Sequence, residues 1–127
     1  MLQKRSSGSV EVTSIDKPAL LNELEKIAEK IALTDPKVQT VLLHGSLIQG
    51  RYTPESDLDI LIIVTESQNP FLTRRDEFLD LFLALPMDVD IKVYTEQEIQ
   101  EMQRSGNAFL KGVLSNSRTL YSRHRER

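Results

Sequence analysis

The stretch HGSLIQGRYTPESDLDILI, residues 44–62, decides how this chain reads. It opens at the end of one β-branched, apolar run, residues 38–44 (VQTVLLH), and closes inside a second, residues 58–64 (LDILIIV). Both runs predict strands central to a sheet. Between them, Gly45 and Ser46 end the first strand and start a segment, Leu47 to Gln49, long enough for one helical turn before Gly50. A glycine there lets a phosphate approach the backbone, and the serine hydroxyl and the turn's free N–H groups can bind its oxygens. Taken alone, a Gly-Ser after a strand is more often a plain turn.

Asp57 and Asp59 are two apart at a strand start. Their side chains therefore leave one face while Leu58 and Ile60 leave the other. Like charges so close are unfavourable unless a cation or a proton relieves them, and the apolar strand behind raises the cost. Oxygen ligands without His or Cys favour Mg²⁺ or Mn²⁺ over zinc. For an isolated D-x-D, a solvated strand start is the commoner case.

Working outward, Asn69-Pro70 predicts the opening of a long helix in which Phe71, Phe78, Phe82 and Leu85 share a face, ended by Pro86. A third strand, residues 88–94 (DVDIKVY), alternates cleanly, with Val89, Ile91 and Val93 on one face and Asp88, Asp90 and Lys92 on the other. Strand, helix and strand make a β-α-β unit whose strands should be parallel neighbours, joined right-handed. Their starts then share one sheet edge, and a carboxylate from the later strand can complete the site. Asp90, deeper and flanked by apolar residues, is preferred; Asp88, beside the Pro86 turn, is the alternative.

Upstream, Asp16 caps a helix with Pro18 in its first turn and Leu20, Leu24, Ile27 and Ile31 at helical spacing, ended by Asp35-Pro36. Downstream, Thr95 and Glu98 form a capping box, Gly106 closes that helix, Asn107 caps another, and Thr119 to Tyr121 predict an edge strand. Residues 1–12 are polar and aperiodic and read as a flexible leader, residues 13–121 as the domain, and residues 122–127, with Arg123, His124, Arg125 and Arg127, as a basic tail.

Composition narrows the chemistry. The chain has 127 residues, 39% of them hydrophobic, 16 Lys plus Arg against 19 Asp plus Glu, two His and no Cys. That length allows one domain and leaves no room for a second, substrate-binding one. Disulfides, thiolate zinc sites and cysteine nucleophiles are excluded, which leaves carboxylates as the chemical groups. A net charge of −3 gives no drive toward nucleic acid. The longest apolar runs, Ile60 to Val64 and Leu81 to Leu85, fall far below the roughly 20 residues of a bilayer span, and no signal peptide is evident, so a cytoplasmic protein is expected.

The combination of a hydrophobic strand, Gly45-Ser46, a spacer of ten, Asp57-Leu58-Asp59-Ile60 and a later strand acid, Asp90, resembles the nucleotidyltransferase superfamily that includes DNA polymerase β, and within it the minimal nucleotidyltransferases. The resemblance covers roughly residues 38 to 121. It implies an α+β nucleotidyltransferase fold, a mixed sheet of three to four strands packed by helices on one side. It implies that Gly45 and Ser46 hold a nucleoside triphosphate, that Asp57 and Asp59 bind two Mg²⁺ (or Mn²⁺) ions, and that Asp90 joins the metal site and helps activate the attacking hydroxyl. The implied reaction transfers a nucleoside monophosphate, AMP from ATP, to an acceptor hydroxyl. The missing acceptor domain then points to an interface with a second copy or with a protein partner, of the HEPN type if the chain resembles the antitoxin half of HEPN/MNT pairs. Many minimal members carry arginine three positions after the serine; here that position is Gln49, and Arg51 is the candidate to supply the charge. Gln49 also motivates the competing reading, a binding module of the same fold with weak or no catalysis. His44 reads as a strand-end side chain, Lys92 as a partner for Asp90 or for phosphate, and the phenylalanine stripe as core.

Overall fold

A computed structural model describes residues 2–7, 10–53 and 56–123. In chain order the elements are β1 (Leu2–Ser7), β2 (Val10–Ile15), α1 (Lys17–Thr34), β3 (Val38–His44), α2 (Ser46–Gln49), β4 (Leu58–Val64), α3 (Phe71–Arg74), β5 (Val89–Thr95), α4 (Glu96–Arg104), α5 (Ala108–Ser115) and β6 (Ser117–Ser122). The stretch expected as a leader largely forms a two-stranded antiparallel ribbon, β1 with β2, from Leu2↔Ile15 to Ser7↔Val10.

The main sheet has four strands in the order β5-β4-β3-β6. β3 lies antiparallel to both β4 and β6, whereas β4 and β5 are parallel, so the sheet is mixed. β4 is central and apolar on both faces, with Leu58, Ile60, Leu61 and Ile62 fully buried. A continuous apolar run of this kind suits a strand covered on both sides.

The larger core lies on one side, where Leu20, Leu24, Ile27 and Ile31 of α1 and Phe78, Phe82 and Leu85 meet Val41, Leu43, Ile60, Ile62, Ile91 and Val93. The main helical layer is therefore on one face, as expected. A smaller cluster on the other face joins Leu42 and Leu61 to Val113 of α5, with Ile63 and Tyr94 against it. Leaving aliphatic side chains of this size exposed would cost about 1.5–3 kcal/mol each.

The caps follow the sequence. Asp16 accepts from the Ala19 N–H at 3.1 Å. Thr95 and Glu98 make the reciprocal box at 3.1 and 2.9 Å. Gly106, at φ 72°, closes α4 with its N–H on the Gln103 carbonyl and the Asn107 N–H on the Met102 carbonyl, a Schellman pair.

The crossover departs from expectation. Residues 71–85 are not one long helix: α3 is a single turn, followed by 3₁₀ turns at Arg75–Glu77 and Leu79–Phe82. The cause is Arg74. Its guanidinium is drawn inward, donating from Nε to the Asn69 carbonyl at 2.9 Å, from Nη1 to the Val93 carbonyl at 3.1 Å, and to both carboxylate oxygens of Glu98 at 2.7 and 3.0 Å. Those tertiary bonds, with Phe78, Phe82 and Leu85 seated in the core, override a modest helix preference. The expected basic tail also begins differently. Ser122 ends β6, and Arg123 folds back to donate to the Val38 carbonyl at 2.8 and 3.0 Å; residues 124–127 lie outside the described residues.

Candidate active site

β4 and β5 begin at the same end of the sheet, and their register pairs Asp59 with Asp90. Residues in register on neighbouring strands project from the same face, so the two carboxylates stand side by side. Asp88 lies outside this pairing; it is exposed, and its carbonyl accepts the Leu58 N–H at 3.0 Å, fixing where the two strands start. Asp57 precedes β4 and is exposed, close enough for its charge to act on both Asp59 and Tyr52.

On the other flank of Asp59 stands His44, its partner in the antiparallel β3–β4 register. The chain then turns at Gly45, with φ 85° and ψ −153°, in a region essentially reserved for glycine. A β-carbon there would sit 2.8 Å from Asp59 Cγ. The missing side chain thus lets the Gly45-Ser46 turn lie directly against the carboxylate. Ser46 opens α2, whose first N–H groups, like those of any helical turn, have no intrahelical partner. Gly50 ends the turn in the left-handed region at φ 78°. Arg51 follows, exposed, its guanidinium donating to the Gln49 side-chain carbonyl. The two residues that the sequence left in question are joined to each other.

The electrostatics are those of crowded anions. Burial, more than any other cause, pushes Asp59 above the usual carboxylate value; the charges of Asp90 and Asp57 add to this while His44 and Lys92 pull the other way. Lys92 Nζ donates to Asp90 Oδ2 at 2.8 Å. His44 is 8% exposed, and burial, more than any other cause, lowers its pKa. Its Nε2 is buried without a hydrogen-bond partner, and its ring packs edge-on against Phe109, centroids 5.7 Å apart. That placement suits a strand-end side chain.

Two contributors escaped the sequence reading. Tyr52 is half-buried with an unpartnered hydroxyl, and its pKa is raised by burial first and then by Asp57 and Asp59, which places it beside the carboxylates. Phe109, from α5, touches both His44 and the Lys92 ammonium. A lone tyrosine in a polar loop and a phenylalanine near the start of a helix carry no local signal. Phe71, read as core, instead stacks beside Tyr94 at 4.9 Å on the open side, lining a groove of about 530 Å³ with Glu98, Glu101, Met102 and Ser105.

Among the described residues, no three His, Asp or Glu side chains already form a closed metal cage. A hard divalent cation of the Mg²⁺ kind does not need one, since it is commonly held by one or two carboxylates, waters and substrate phosphates. The donor set fits such an ion: two oxygen-bearing side chains at positions 57 and 59, a third opposite in register, and an Asp59 charge that an added cation would relieve.

Residues 25–126 match the family model described as polymerase beta, nucleotidyltransferase. The chain belongs to this family. It is a nucleotidyltransferase of the minimal kind, as Gly45-Ser46 and the carboxylates imply. It is 30% identical over 92 residues to the predicted protein adenylyltransferase MJ1379 of Methanocaldococcus jannaschii, a span of 64% of this chain and 92% of that protein. Among solved structures, a toxin-antitoxin complex with AMP-PNP superposes with TM-score 0.56 at 25% identity, over 82% of this chain and 74% of that one. A tri-AMPylated Shewanella oneidensis HEPN toxin in complex with MNT antitoxin gives TM-score 0.52 at 22% identity, over 80% and 71% of the two chains.

Proposed function

We propose that this nucleotidyltransferase is a metal-dependent adenylyltransferase of the cytoplasm that moves AMP from ATP onto a hydroxyl of a protein partner, as the MNT antitoxin of a HEPN/MNT pair. One observation carries the reading: Asp59 and Asp90 paired in register, with the Gly45 turn closed against Asp59. The adenylyltransferase name of the archaeal relative and the AMP-PNP and AMPylated-toxin complexes of the structural neighbours support ATP as the donor and a HEPN-type protein as the acceptor.

Each residue then has a task. The backbone at Gly45 and Ser46 receives the triphosphate, and Arg51, exposed at the end of the turn, adds charge to it. Asp57, Asp59 and Asp90 are the metal-facing carboxylates. A bound Mg²⁺ or Mn²⁺ would neutralise the charge that grows on the entering and leaving oxygens of an in-line displacement. Asp90, on the next strand, accepts the proton of the attacking hydroxyl. Phe109 and His44 wall the carboxylates from α5 and β3 and limit water on that side.

The test is transfer of α-labelled ATP onto a HEPN protein purified with this chain, with the modified residue located by mass spectrometry. Label on the partner is expected. Absence of label on any partner counts against the acceptor, while release of pyrophosphate would keep the transfer chemistry. The bond between Gln49 and Arg51 favours a second reading, a partner-binding module whose turn has lost its grip on phosphate. That reading requires an Asp57→Asn strain to behave like wild type, and a lost phenotype refutes it.

A further inference from the structure

We infer that the groove between Tyr94 and α4 seats an arginine of the partner segment that presents the acceptor hydroxyl, and so helps to choose which hydroxyl is modified. The inference deepens the nucleotidyl-transfer reading and rests on it for the reaction, though not for the binding. Asp90, Lys92 and Tyr94 follow one another at two-residue steps on β5 and so share one face of the sheet. Phe109 of α5 bridges them, 5.7 Å from the Lys92 ammonium and 6.3 Å from the Tyr94 ring. Beyond Tyr94 the Phe71 ring follows at 4.9 Å. Phe109 is 36% exposed, and Asp90, Lys92, Tyr94 and Phe71 are half-buried. An open path therefore runs from the strand-start carboxylates to the groove.

The far wall is one face of α4, with Glu98, Glu101 and Met102 three and four apart and Ser105 at the helix end. This corner already holds one guanidinium. Arg74 pairs with both carboxylate oxygens of Glu98 at 2.7 and 3.0 Å and lies 5.9 Å over the Phe71 ring. Glu101, three residues further along α4, lines the groove with Tyr94, is exposed, and makes no ion pair among the described residues. A carboxylate beside a ring is thus offered a second time, without its cation. A planar guanidinium satisfies both at once, stacking on the ring while pairing with the carboxylate. The same carboxylates repel phosphate, so the groove suits the acceptor rather than the triphosphate.

The path also sets a spacing. From Asp90 to Tyr94 the rise of a strand amounts to roughly 13 Å. A partner chain lying extended along it covers that distance in about four residues, and residues four apart point to the same side. A hydroxyl at Asp90 and an arginine in the groove then belong to one segment. Midway stands the Lys92 ammonium, which disfavours a second cation above it.

The experiment is nuclear magnetic resonance of the isotope-labelled full chain with Mg²⁺, titrated with acetylated peptide amides of tyrosine, a run of alanines and arginine, made in both chain directions. With arginine at the fourth residue from tyrosine, at least one peptide is expected to shift the amides of Tyr94, Glu101 and Met102. It should bind about tenfold or more tightly than the same peptide with glutamate for arginine, or with arginine at the second residue. Glu101→Lys should reverse the preference between arginine and glutamate, and Glu101→Gln should remove it. In transfer from α-labelled ATP, Glu101→Lys should raise KM for the partner protein about tenfold more than KM for ATP. Equal binding of the arginine and glutamate peptides by wild type overturns the inference, as do shifts confined to other surfaces. An equal rise in both KM values assigns the groove to the nucleotide, and a wild-type dimer that Glu101→Lys dissociates assigns it to a second copy; either result overturns it. If the peptides behave as expected and wild type transfers no label, the nucleotidyl-transfer reading falls and the arginine seat stands.

Discussion

Gly45 and Asp59 occupy each other's space: a β-carbon on Gly45 would come within 2.8 Å of Asp59 Cγ. The Gly-Ser turn and Asp59 are folded against each other, so that under the proposed function a triphosphate on the turn would meet the carboxylate without an intervening side chain. Gly45→Ala should therefore fail twice, through a backbone that only glycine adopts and through displacement of Asp59. A loss of about 1–3 kcal/mol of stability is expected in urea unfolding, with loss of ATP affinity. A variant as stable and as active as wild type would show that the turn is not built against the carboxylate.

Asp59 is held ionised at a cost. Its pKa is raised by burial and by neighbouring carboxylates, so the penalty is present at neutral pH and fades as pH falls through its elevated value. Asp59→Asn should accordingly melt at a higher temperature than wild type in EDTA at pH 7, with the difference shrinking in acid. Transfer activity should drop by at least about 100-fold, since even residues behind a metal ligand cost 10- to 100-fold. Calorimetry across pH checks the first effect and a labelled-ATP assay the second.

Arg74 and Glu98 hold the crossover to the sheet. The Arg74 hydrogen bond is the main cause keeping Glu98 below its usual pKa, with the Thr95 N–H helping. This stability is present above the unfolded carboxylate value and is lost as pH falls through the lower, folded one. Arg74→Met should cost about 2–3 kcal/mol, below the full value for a buried pair because the Glu98 side chain is 39% exposed. Glu98→Gln should flatten the acid limb of the stability curve. Chemical denaturation at pH 7 and in mild acid measures both effects.

How far the sequence carried depended on range. The strands at residues 38–44, 58–64 and 89–95, the parallel pairing of the last two with Asp59 opposite Asp90, and the caps at Asp16, Thr95, Glu98, Gly106 and Asn107 all rest on local periodicity or on a β-α-β rule. What escaped was long-range. Arg74 looks like any surface arginine until Val93 and Glu98 are brought to it, and the helix it interrupts looks continuous from the spacing of phenylalanines alone. Tyr52 and Phe109 reach the site through a loop and a helix whose placement no nearby residue announces. The ribbon of strands Leu2–Ser7 and Val10–Ile15 escaped as well, because no apolar periodicity in its sequence announces the pairing.

The most direct measurement is release of pyrophosphate and transfer of label from α-labelled ATP with Mg²⁺, comparing wild type with the Asp57→Asn, Asp59→Asn double variant in the presence of the partner protein. Wild type should transfer label and the variant should show at least about 100-fold less, while both remain folded by circular dichroism. Equal transfer by the two proteins would contradict the assignment of the chemistry to these carboxylates.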